Sequence, residues 1–430
     1  MNQPTLKREL GLFHATAIGV GLILGAGVYV LIGEATATAG NAVWFAFILS
    51  AVVALLTGLA YAELSSMFPD DAGEYKYTKE AFGRGLAFFI GYFVLLGAII
   101  ASAAVATGFA GYFSALFNFD NTILVSIVII ILFSILNYRS IKESAWTNVL
   151  FTSLEVIGLL VIIGLGIFYG QDVALLDMPH GIEGVFKASA LVFFAFLGFE
   201  SVIKLTEEVK NPRRTIPLAL LLSIGITTAL YLMVAIAAVS VLDWQVLAAS
   251  SAPLATVAEM VLGNNAFIAI SVIALFSTGN TVLIGLITGS RTLYGISRYY
   301  KLLKPFRKVH KKRKTPHVAI WTVMGLAILF SFISDVGLIA ELTNFTVFIT
   351  FAVINLVVIA LRFKQPEVER KFKMPLNLGK MPILAFFGFL TCIFFLSQIE
   401  TMIVLGGFGL ILTGIVVYLF ILSFEKSSAN

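Results

Sequence analysis

Long apolar segments, separated by short polar stretches, fill almost the whole chain. Each is long enough, or nearly so, to cross the roughly 30 Å hydrocarbon core of a bilayer as a helix. The segments lie at residues 11–33, 42–66, 86–116, 122–138, 146–170, 184–206, 215–242, 265–298, 317–334, 337–361, 382–399 and 402–424. The pattern therefore predicts an all-α polytopic membrane protein with about 12 transmembrane helices.

Composition supports this class and excludes others. Of the 430 residues, 59% are hydrophobic and 12% are charged, whereas an ordinary soluble domain carries roughly 25% charged residues. The single cysteine, Cys392, excludes an internal disulfide framework and a multi-cysteine metal site. The four histidines show no metal-ligand spacing. We therefore expect neither a metal site nor a cofactor.

Basic residues mark one end of the predicted helices. If the N-terminus is inside, the outer loops are 34–41, 117–121, 171–183, 243–264, 335–336 and 400–401. These loops contain no lysine or arginine, and every basic residue except Lys187 falls at or near the inner face. The positive-inside rule then predicts a multi-pass plasma-membrane protein with both termini cytoplasmic. The first apolar segment is too long for a signal peptide, so none is expected.

The run from Lys301 to Lys314, KLLKPFRKVHKKRK, has the composition of a nucleic-acid patch. In a membrane protein, a loop that sets topology and meets anionic headgroups explains the same charges. We therefore expect membrane lipid as a partner and no nucleic acid. The sequence carries no sign of an oligomeric state.

The first apolar segment contains a dense glycine cluster. In AIGVGLILGAGVYVLIG, residues 17–33, glycine recurs four times between Gly19 and Gly27. Such a cluster favours a break in the helix, which lipid tolerates only where the freed backbone lines a cavity or binds a ligand. The break would present N–H groups at Gly25-Ala26-Gly27 and carbonyls such as that of Ile23, which suit a carboxylate and an amine. A glycine-rich packing seam is the alternative.

The sixth segment carries a second candidate break, with Gly198 at mid-depth and Glu200 close by. Because the sixth segment starts five segments after the first, an odd number, the two halves cross the membrane in opposite senses, as in inverted-repeat transporters. We predict that the substrate lies between segments one and six. The expected organisation is a cytoplasmic tail (1–10), a first repeat with helices 1–5 (11–170), a second repeat with helices 6–10 (184–362), two peripheral helices (382–424) and a cytoplasmic tail (425–430).

Four motifs in order resemble the amino acid-polyamine-organocation permeases. GLILGAGVYV in the first segment resembles the family's unwound GxxxGxG element. Three further stretches resemble family motifs along nearly the whole length: YAELSSMFPDDAGEYKYTKEAFG (61–83), FFAFLGFESVIKLTEEVKNPRRTIPLA (193–219) and GSRTLYGISR (289–298). The resemblance implies a LeuT-like five-plus-five inverted repeat with discontinuous helices 1 and 6.

The resemblance also implies roles for the residues at the two breaks. Backbone N–H groups of Gly25, Ala26 and Gly27 would hold a substrate carboxylate. Carbonyls of Ile23, Phe194 and Leu197, beside Gly198, would take the ammonium group. Phe194 falls where some members place an aromatic gate, although ordinary packing explains it equally well. Ala26 departs from the serine or threonine of several members, and Lys204 is a cation where a small or polar residue is commoner.

Several polar residues at membrane depth are candidates for coupling to an ion. Glu155, within the fifth helix, could carry a proton, because burial favours the neutral form of a carboxyl group. Glu200 is a second proton candidate or an anchor for freed N–H groups. Hydroxyls of Ser277, Thr278 and Thr281 could bind sodium or make ordinary interhelical hydrogen bonds. Near the inner face, we expect Glu63 and Glu207-Glu208 to pair with the basic loops.

These observations favour a secondary-active amino acid permease that works by proton-coupled symport and alternating access. An amino acid/amine antiporter and a sodium-coupled symporter of the same fold are alternatives, and a non-transporting amino acid sensor is an alternative of another class. An enzyme is not expected, because no nucleophile–base or metal constellation lies at membrane depth. A metal-ion transporter would need Asp and Met or His at the breaks, which read GAG and FLGF here, so this class is not expected. A neutral or small apolar amino acid is the expected substrate.

Overall fold

The computed structural model describes residues 10–68, 73–139, 144–207 and 209–427. Side chains are described throughout these ranges except at residues 144–150, 204, 206, 207, 426 and 427. The tail residues 1–9, the side chains of Lys204 and Glu207, and the whole of Glu208 therefore lie outside the described part.

Helices make up nearly all of the described chain. They are α1 (Leu12–Ile23), α2 (Ala26–Ala39), α3 (Val43–Met67), α4 (Glu74–Phe82), α5 (Arg84–Phe117), α6 (Thr122–Arg139), α7 (Ser144–Tyr169), α8 (Gly181–Val192), α9 (Pro212–Val241), α10 (Trp244–Ala249), α11 (Pro253–Leu262), α12 (Asn264–Ser297), α13 (His317–Ser331), α14 (Val336–Lys364), α15 (Ile383–Leu396) and α16 (Thr401–Ser427). Four 3₁₀ segments lie at Gly40–Ala42, Phe193–Phe196, Phe199–Glu207 and Lys301–Arg307. Strands β1 (Asn377–Leu378) and β2 (Met381–Pro382) form one short antiparallel hairpin.

The all-α polytopic class is confirmed. Within the described ranges, nine stretches are long and apolar enough to cross a membrane, and four shorter apolar helices accompany them. The number of spans and the inverted repeat remain predictions. Two of the expected loops contain helical residues. Residues 34–39 continue α2 up to a turn at Gly40, and 243–264 holds α10 and α11, with the Asp243 side chain accepting the N–H of Gln245 at the start of α10.

The long helices pack into one body around α5 and α12. α12 lies along α5, α3 lies along α9, and α14 packs against both α5 and α15. α16 contacts α14 and α5 at the edge of the molecule and leaves most of its apolar side chains exposed, as at Met402 (78%) and Phe408 (55%). An apolar surface of this kind suits contact with lipid chains rather than with water.

At the end of the molecule that carries most basic residues (the basic end), Glu63 forms a buried ion pair. Its carboxylate accepts from Arg362 Nε (2.8 Å) and Nη2 (2.5 Å), and Arg370 Nε lies 3.3 Å away. The N–H of Met374 donates to the same carboxylate at 2.8 Å. This network ties the end of α3 to α14 through Arg362, and to the basic segment after α14 through Arg370.

We predict that Glu63→Gln destabilises the protein strongly. Glu63 is fully buried, and removing its charge leaves Arg362 and Arg370 without a counter-ion, which costs about 3–5 kcal/mol for a buried pair. The matched control is Glu369→Gln, which breaks the exposed pair with Arg213 and costs about 1 kcal/mol or less. Thermal unfolding midpoints in detergent micelles test this. Equal midpoints for the two variants would contradict it.

Candidate functional site

The first helix opens between α1 and α2, as the glycine cluster predicts. α1 ends at Ile23 and α2 begins at Ala26, with Leu24 and Gly25 extended between them. The N–H of Ala26 donates to Thr281 Oγ1 at 3.2 Å. Within the described residues, the N–H groups of Gly25 and Gly27 have no protein acceptor. The break therefore presents two open donors at the start of a half-helix, where an anion is favoured.

The second break lies between α8 and α9. α8 ends at Val192, a 3₁₀ turn covers Phe193–Phe196, and the chain bends at Leu197 and Gly198 before a second 3₁₀ segment. The N–H of Gly198 donates to Glu200 Oε2 at 2.9 Å. Glu200 thus accepts a hydrogen bond from a freed backbone N–H group. This is the anchoring role, one of the two roles predicted for Glu200.

The two breaks lie against each other. A Cβ on Gly27 would overlap Ala195 beside the second break, and a Cβ on Gly198 would overlap the carbonyl of Leu22 beside the first. Gly198 also has φ +116, a conformation that L side chains rarely adopt. Close packing and helix opening therefore occur together here, so the two explanations for the glycines are not exclusive.

Two buried polar side chains satisfy carbonyls that the breaks release. The Tyr231 hydroxyl, on α9, lies 3.2 Å from the Ile23 carbonyl and 2.9 Å from the Ala195 carbonyl, and so bridges both breaks. Asn344 Nδ2, on α14, donates to the carbonyls of Ala190 (2.7 Å) and Leu191 (3.0 Å). Sequence reasoning missed both residues. Tyr231 lies in a long apolar run, and Asn344 lies among other polar residues of α14 such as Thr343 and Thr346, so the sequence does not single out either residue.

Carbonyls predicted to take the ammonium group differ in their surroundings. The Ile23 carbonyl accepts from Tyr231, and the Phe194 carbonyl accepts from the N–H of Leu197 at 3.2 Å. Each carbonyl oxygen retains a second lone pair. The assignment of Ile23, Phe194 and Leu197 to the ammonium group stays a prediction.

A small cavity lies at the meeting point of the breaks. It has a volume of about 100 Å³ and is lined by the stretch from Gly21 to Gly27 together with Phe194, Leu197 and Thr281. Six predicted binding residues therefore border one space, namely Ile23, Gly25, Ala26, Gly27, Phe194 and Leu197. The seventh, Gly198, borders the cavity next to it.

This second cavity, of about 180 Å³, shares Leu22, Leu197 and Thr281 with the first. Its walls are mainly apolar, with side chains from α5, α12 and α14. They include Phe93, Val94, Ile284, Val347 and Phe351. A ligand held by its charged groups at the breaks would therefore meet an apolar chamber beside them.

Two carboxylates border the second cavity, and sequence reasoning did not place Glu74 there. Glu74 Oε1 accepts from the Tyr61 hydroxyl at 3.1 Å, while Glu200 accepts from Gly198. No lysine or arginine lines this cavity among the described residues. The chamber therefore combines apolar walls with negative charge at one end.

Glu155 lies deep inside α7, with 2% of its surface exposed. The side chain of Ser277 faces its carboxyl group, and the Tyr29 hydroxyl donates to its backbone carbonyl at 2.9 Å. Its Oε1 atom is buried and makes no hydrogen bond within the described residues. Among the described residues, a carboxylate in this position has no counter-ion and its Oε1 atom has no donor, which is costly in a low-dielectric interior.

The three hydroxyls proposed for sodium point in different directions. Thr278 Oγ1 donates to Ala274 in its own helix at 2.7 Å, and Thr281 Oγ1 donates to the Ser277 carbonyl at 3.0 Å while accepting from Ala26. Ser277 faces Glu155. Across the described ranges, no group of three or more His, Cys, Asp or Glu residues is arranged to hold a metal ion.

Comparison with known proteins gives consistent matches along the chain. A model of the amino acid permease family matches residues 10–422. The branched-chain amino acid permease BcaP of Bacillus subtilis is 30% identical, over 100% of this chain and 96% of its own length. The methylthioribose transporter of the same organism is 31% identical, over 99% and 95%. The vacuolar cationic amino acid transporter 2 of Arabidopsis thaliana is 28% identical, over 85% and 61%.

We predict that Gly198→Ala destabilises the protein. A non-glycine residue at this positive φ costs about 1–3 kcal/mol, and the overlap with the Leu22 carbonyl adds to that cost. Gly225→Ala, within α9, is the matched control, since no heavy atom lies within 4 Å of its Cβ position. Its unfolding midpoint should equal or exceed that of the original chain. A Gly198→Ala midpoint as high as the control would contradict the packing described here.

Proposed function

The chain belongs to the amino acid permease family, and from this premise we propose that it is a proton-coupled amino acid symporter of the plasma membrane. The family and its named relatives are transporters rather than enzymes. The observation that carries the proposal is the pair of adjoining helix breaks, with open donors and a cavity between them. The positive-inside rule supports a cytoplasmic location for the basic end and for both termini.

The open donors support recognition of the substrate carboxylate. The amides of Gly25 and Gly27 have no protein acceptor within the described chain, and the positive end of α2 lies at the same point. Ala26 shares the break, but its amide is occupied by Thr281. A carboxylate at this position would gain charge-assisted hydrogen bonds to amides that otherwise lack partners. The carbonyls at the same breaks would receive the ammonium group.

The walls of the second cavity support a neutral apolar side chain as the preferred substrate class. Phe93, Ile284 and Val347 offer contact area but no hydrogen bonds. The relative BcaP is named for branched-chain amino acids, which fits this lining. A cationic amino acid is the second candidate, because Glu74 and Glu200 border the cavity and one relative is named for cationic amino acids.

Glu155 supports proton coupling. Its carboxyl group is buried, faces Ser277 and lacks a partner for one oxygen, so the neutral form suits this conformation. A conformation that admits water beside α7 would favour the charged form and release the proton. Sodium binding has less support, because Thr281 Oγ1 already accepts the N–H of Ala26 and Ser277 faces Glu155, so the three hydroxyls do not surround one point.

We predict that an inward proton gradient drives substrate accumulation in sodium-free liposomes holding the purified protein. Glu155→Gln should abolish this accumulation while retaining counterflow against preloaded substrate, because glutamine mimics the neutral form of the carboxyl group but cannot ionise. Glu259→Gln, at an exposed position on α11, is the matched control and should retain both activities.

Each other outcome of this experiment has a distinct meaning. Gradient-driven accumulation by Glu155→Gln would assign Glu155 a structural role. Counterflow by the original chain without gradient-driven accumulation would overturn symport and favour exchange. Accumulation only after sodium is added would favour the sodium-coupled alternative. Binding without any flux would favour a sensor.

We predict that neutral aliphatic amino acids compete with labelled leucine for uptake, whereas lysine and arginine do not. Most of the lining is apolar, as at Phe93 and Val347, so a distal ammonium or guanidinium group would lose its hydration there. The two carboxyl groups of the cavity already accept hydrogen bonds from Tyr61 and Gly198. Competition by lysine that disappears in Glu74→Gln would instead support the cationic candidate. Competition by methylthioribose but by no amino acid would contradict both candidates.

A further inference from the structure

A third cavity, lined by basic side chains, lies at the basic end, away from the helix breaks. It is open, has a volume of about 760 Å³, and is bordered by the loop before α13 and by the end of α6. Four cationic side chains and two imidazole rings line it: Lys308, Lys311, Lys312, Arg313, His310 and His317. We propose that this cavity is a binding site for the phosphate-bearing headgroup of an anionic phospholipid.

The cations in this cavity differ from other basic residues of the protein in their ion pairing. Within the described residues, none of Lys308, Lys311, Lys312 and Arg313 forms an ion pair. No acidic residue occurs between Arg298 and Ser334. By contrast, Arg362 and Arg370 form ion pairs with the Glu63 carboxylate. Among the described residues, the positive charge of this cavity is therefore uncompensated, and an anion would neutralise it.

The loop that carries these cations has a defined conformation. The N–H of His310 donates to the Thr315 carbonyl at 2.9 Å, and the N–H of Lys314 donates to the His310 carbonyl at 2.9 Å. The N–H of Arg313 donates to His310 Nδ1 at 3.2 Å. Thr315 Oγ1 donates to the Tyr138 carbonyl at 3.1 Å, which fastens the loop to the end of α6. The cations are thus arranged around a concave site rather than along an extended tail.

Groups at the N-terminus of α13 also favour the binding of an anion. α13 begins at His317 without a side-chain cap, so its first N–H groups and the positive end of its dipole lie beside the cavity. His317 also lines the cavity, and its Nδ1 atom is buried without a hydrogen-bond partner in the described part of the chain.

The aromatic residues around the cavity favour a lipid rather than a soluble anion. Tyr138 packs against His310 (ring centroids 5.5 Å apart) and against Trp321 (5.6 Å), and Trp321 is 39% exposed on the surface of α13. Tyrosine and tryptophan concentrate at the level of the headgroups in membrane proteins. The cations therefore lie at headgroup depth, where clusters between helices on the cytoplasmic side bind anionic lipids.

The test counts lipids bound to the full-length protein by native mass spectrometry. Protein in detergent micelles is titrated with phosphatidylglycerol or with zwitterionic phosphatidylcholine, with and without inorganic phosphate. The cavity variant combines Lys308→Gln, Lys311→Gln and Lys312→Gln. The matched control removes the same charge from exposed positions at the basic end: Lys371→Gln, Lys373→Gln and Lys380→Gln. A double variant, Lys311→Gln with Lys312→Gln, replaces the triple one if that fails to fold.

We expect the original chain and the control to retain one phosphatidylglycerol more tightly than phosphatidylcholine. The cavity variant should bind phosphatidylglycerol about tenfold more weakly or worse, because each basic residue near a membrane surface contributes about 1 kcal/mol. Equal losses in both variants would overturn the proposal in favour of diffuse surface attraction. The same holds for equal retention of the two lipids. Displacement of the lipid by millimolar inorganic phosphate would assign the site to a soluble anion instead.

Discussion

The structure depends on one constraint: backbone groups freed inside a membrane must find partners within the protein. Opening α1–α2 and the helix after α8 releases donors and acceptors that lipid cannot satisfy. Thr281 takes one amide, Glu200 takes another, and Tyr231 and Asn344 supply hydrogens to carbonyls. Because Thr281, Tyr231 and Asn344 lie on α12, α9 and α14, these hydrogen bonds connect the breaks to three surrounding helices in this conformation.

The same constraint makes the unsatisfied groups informative. Several groups released at the breaks have partners, whereas the amides of Gly25 and Gly27 have none within the described chain. They face a cavity, at the positive end of α2. A transport site needs hydrogen-bond donors that can bind a substrate and then release it. Backbone amides that already donate to side chains are not available for this. The pairing of some backbone groups beside the open amides of Gly25 and Gly27 therefore fits a site that binds and releases a carboxylate.

The sequence predicts the breaks but not the residues that complete them. Glycine clusters report helix opening directly, because both the missing Cβ and the freed backbone are local properties. Tyr231 and Asn344 contact carbonyls 208 and 154 residues away in the chain, and Glu74 reaches the second cavity through α4, a helix within an expected loop. Apolar periodicity cannot predict such contacts, since these helices are apolar on nearly every face. The sequence analysis did not predict the loop helices α10 and α11, because both are too short for a clear helical period.

The two deeply buried glutamates, Glu63 and Glu155, show why burial alone does not indicate function. Glu63 is surrounded by two guanidinium groups and a backbone N–H, so its charge is compensated and the surrounding contacts hold it in one state. Glu155 has no basic partner in the described part of the chain, and one of its oxygens makes no hydrogen bond. A compensated carboxylate gains nothing from binding a proton, whereas an uncompensated one changes the free energy of its surroundings when it does. Of the two, only Glu155 has surroundings in which binding and releasing a proton would favour different conformations.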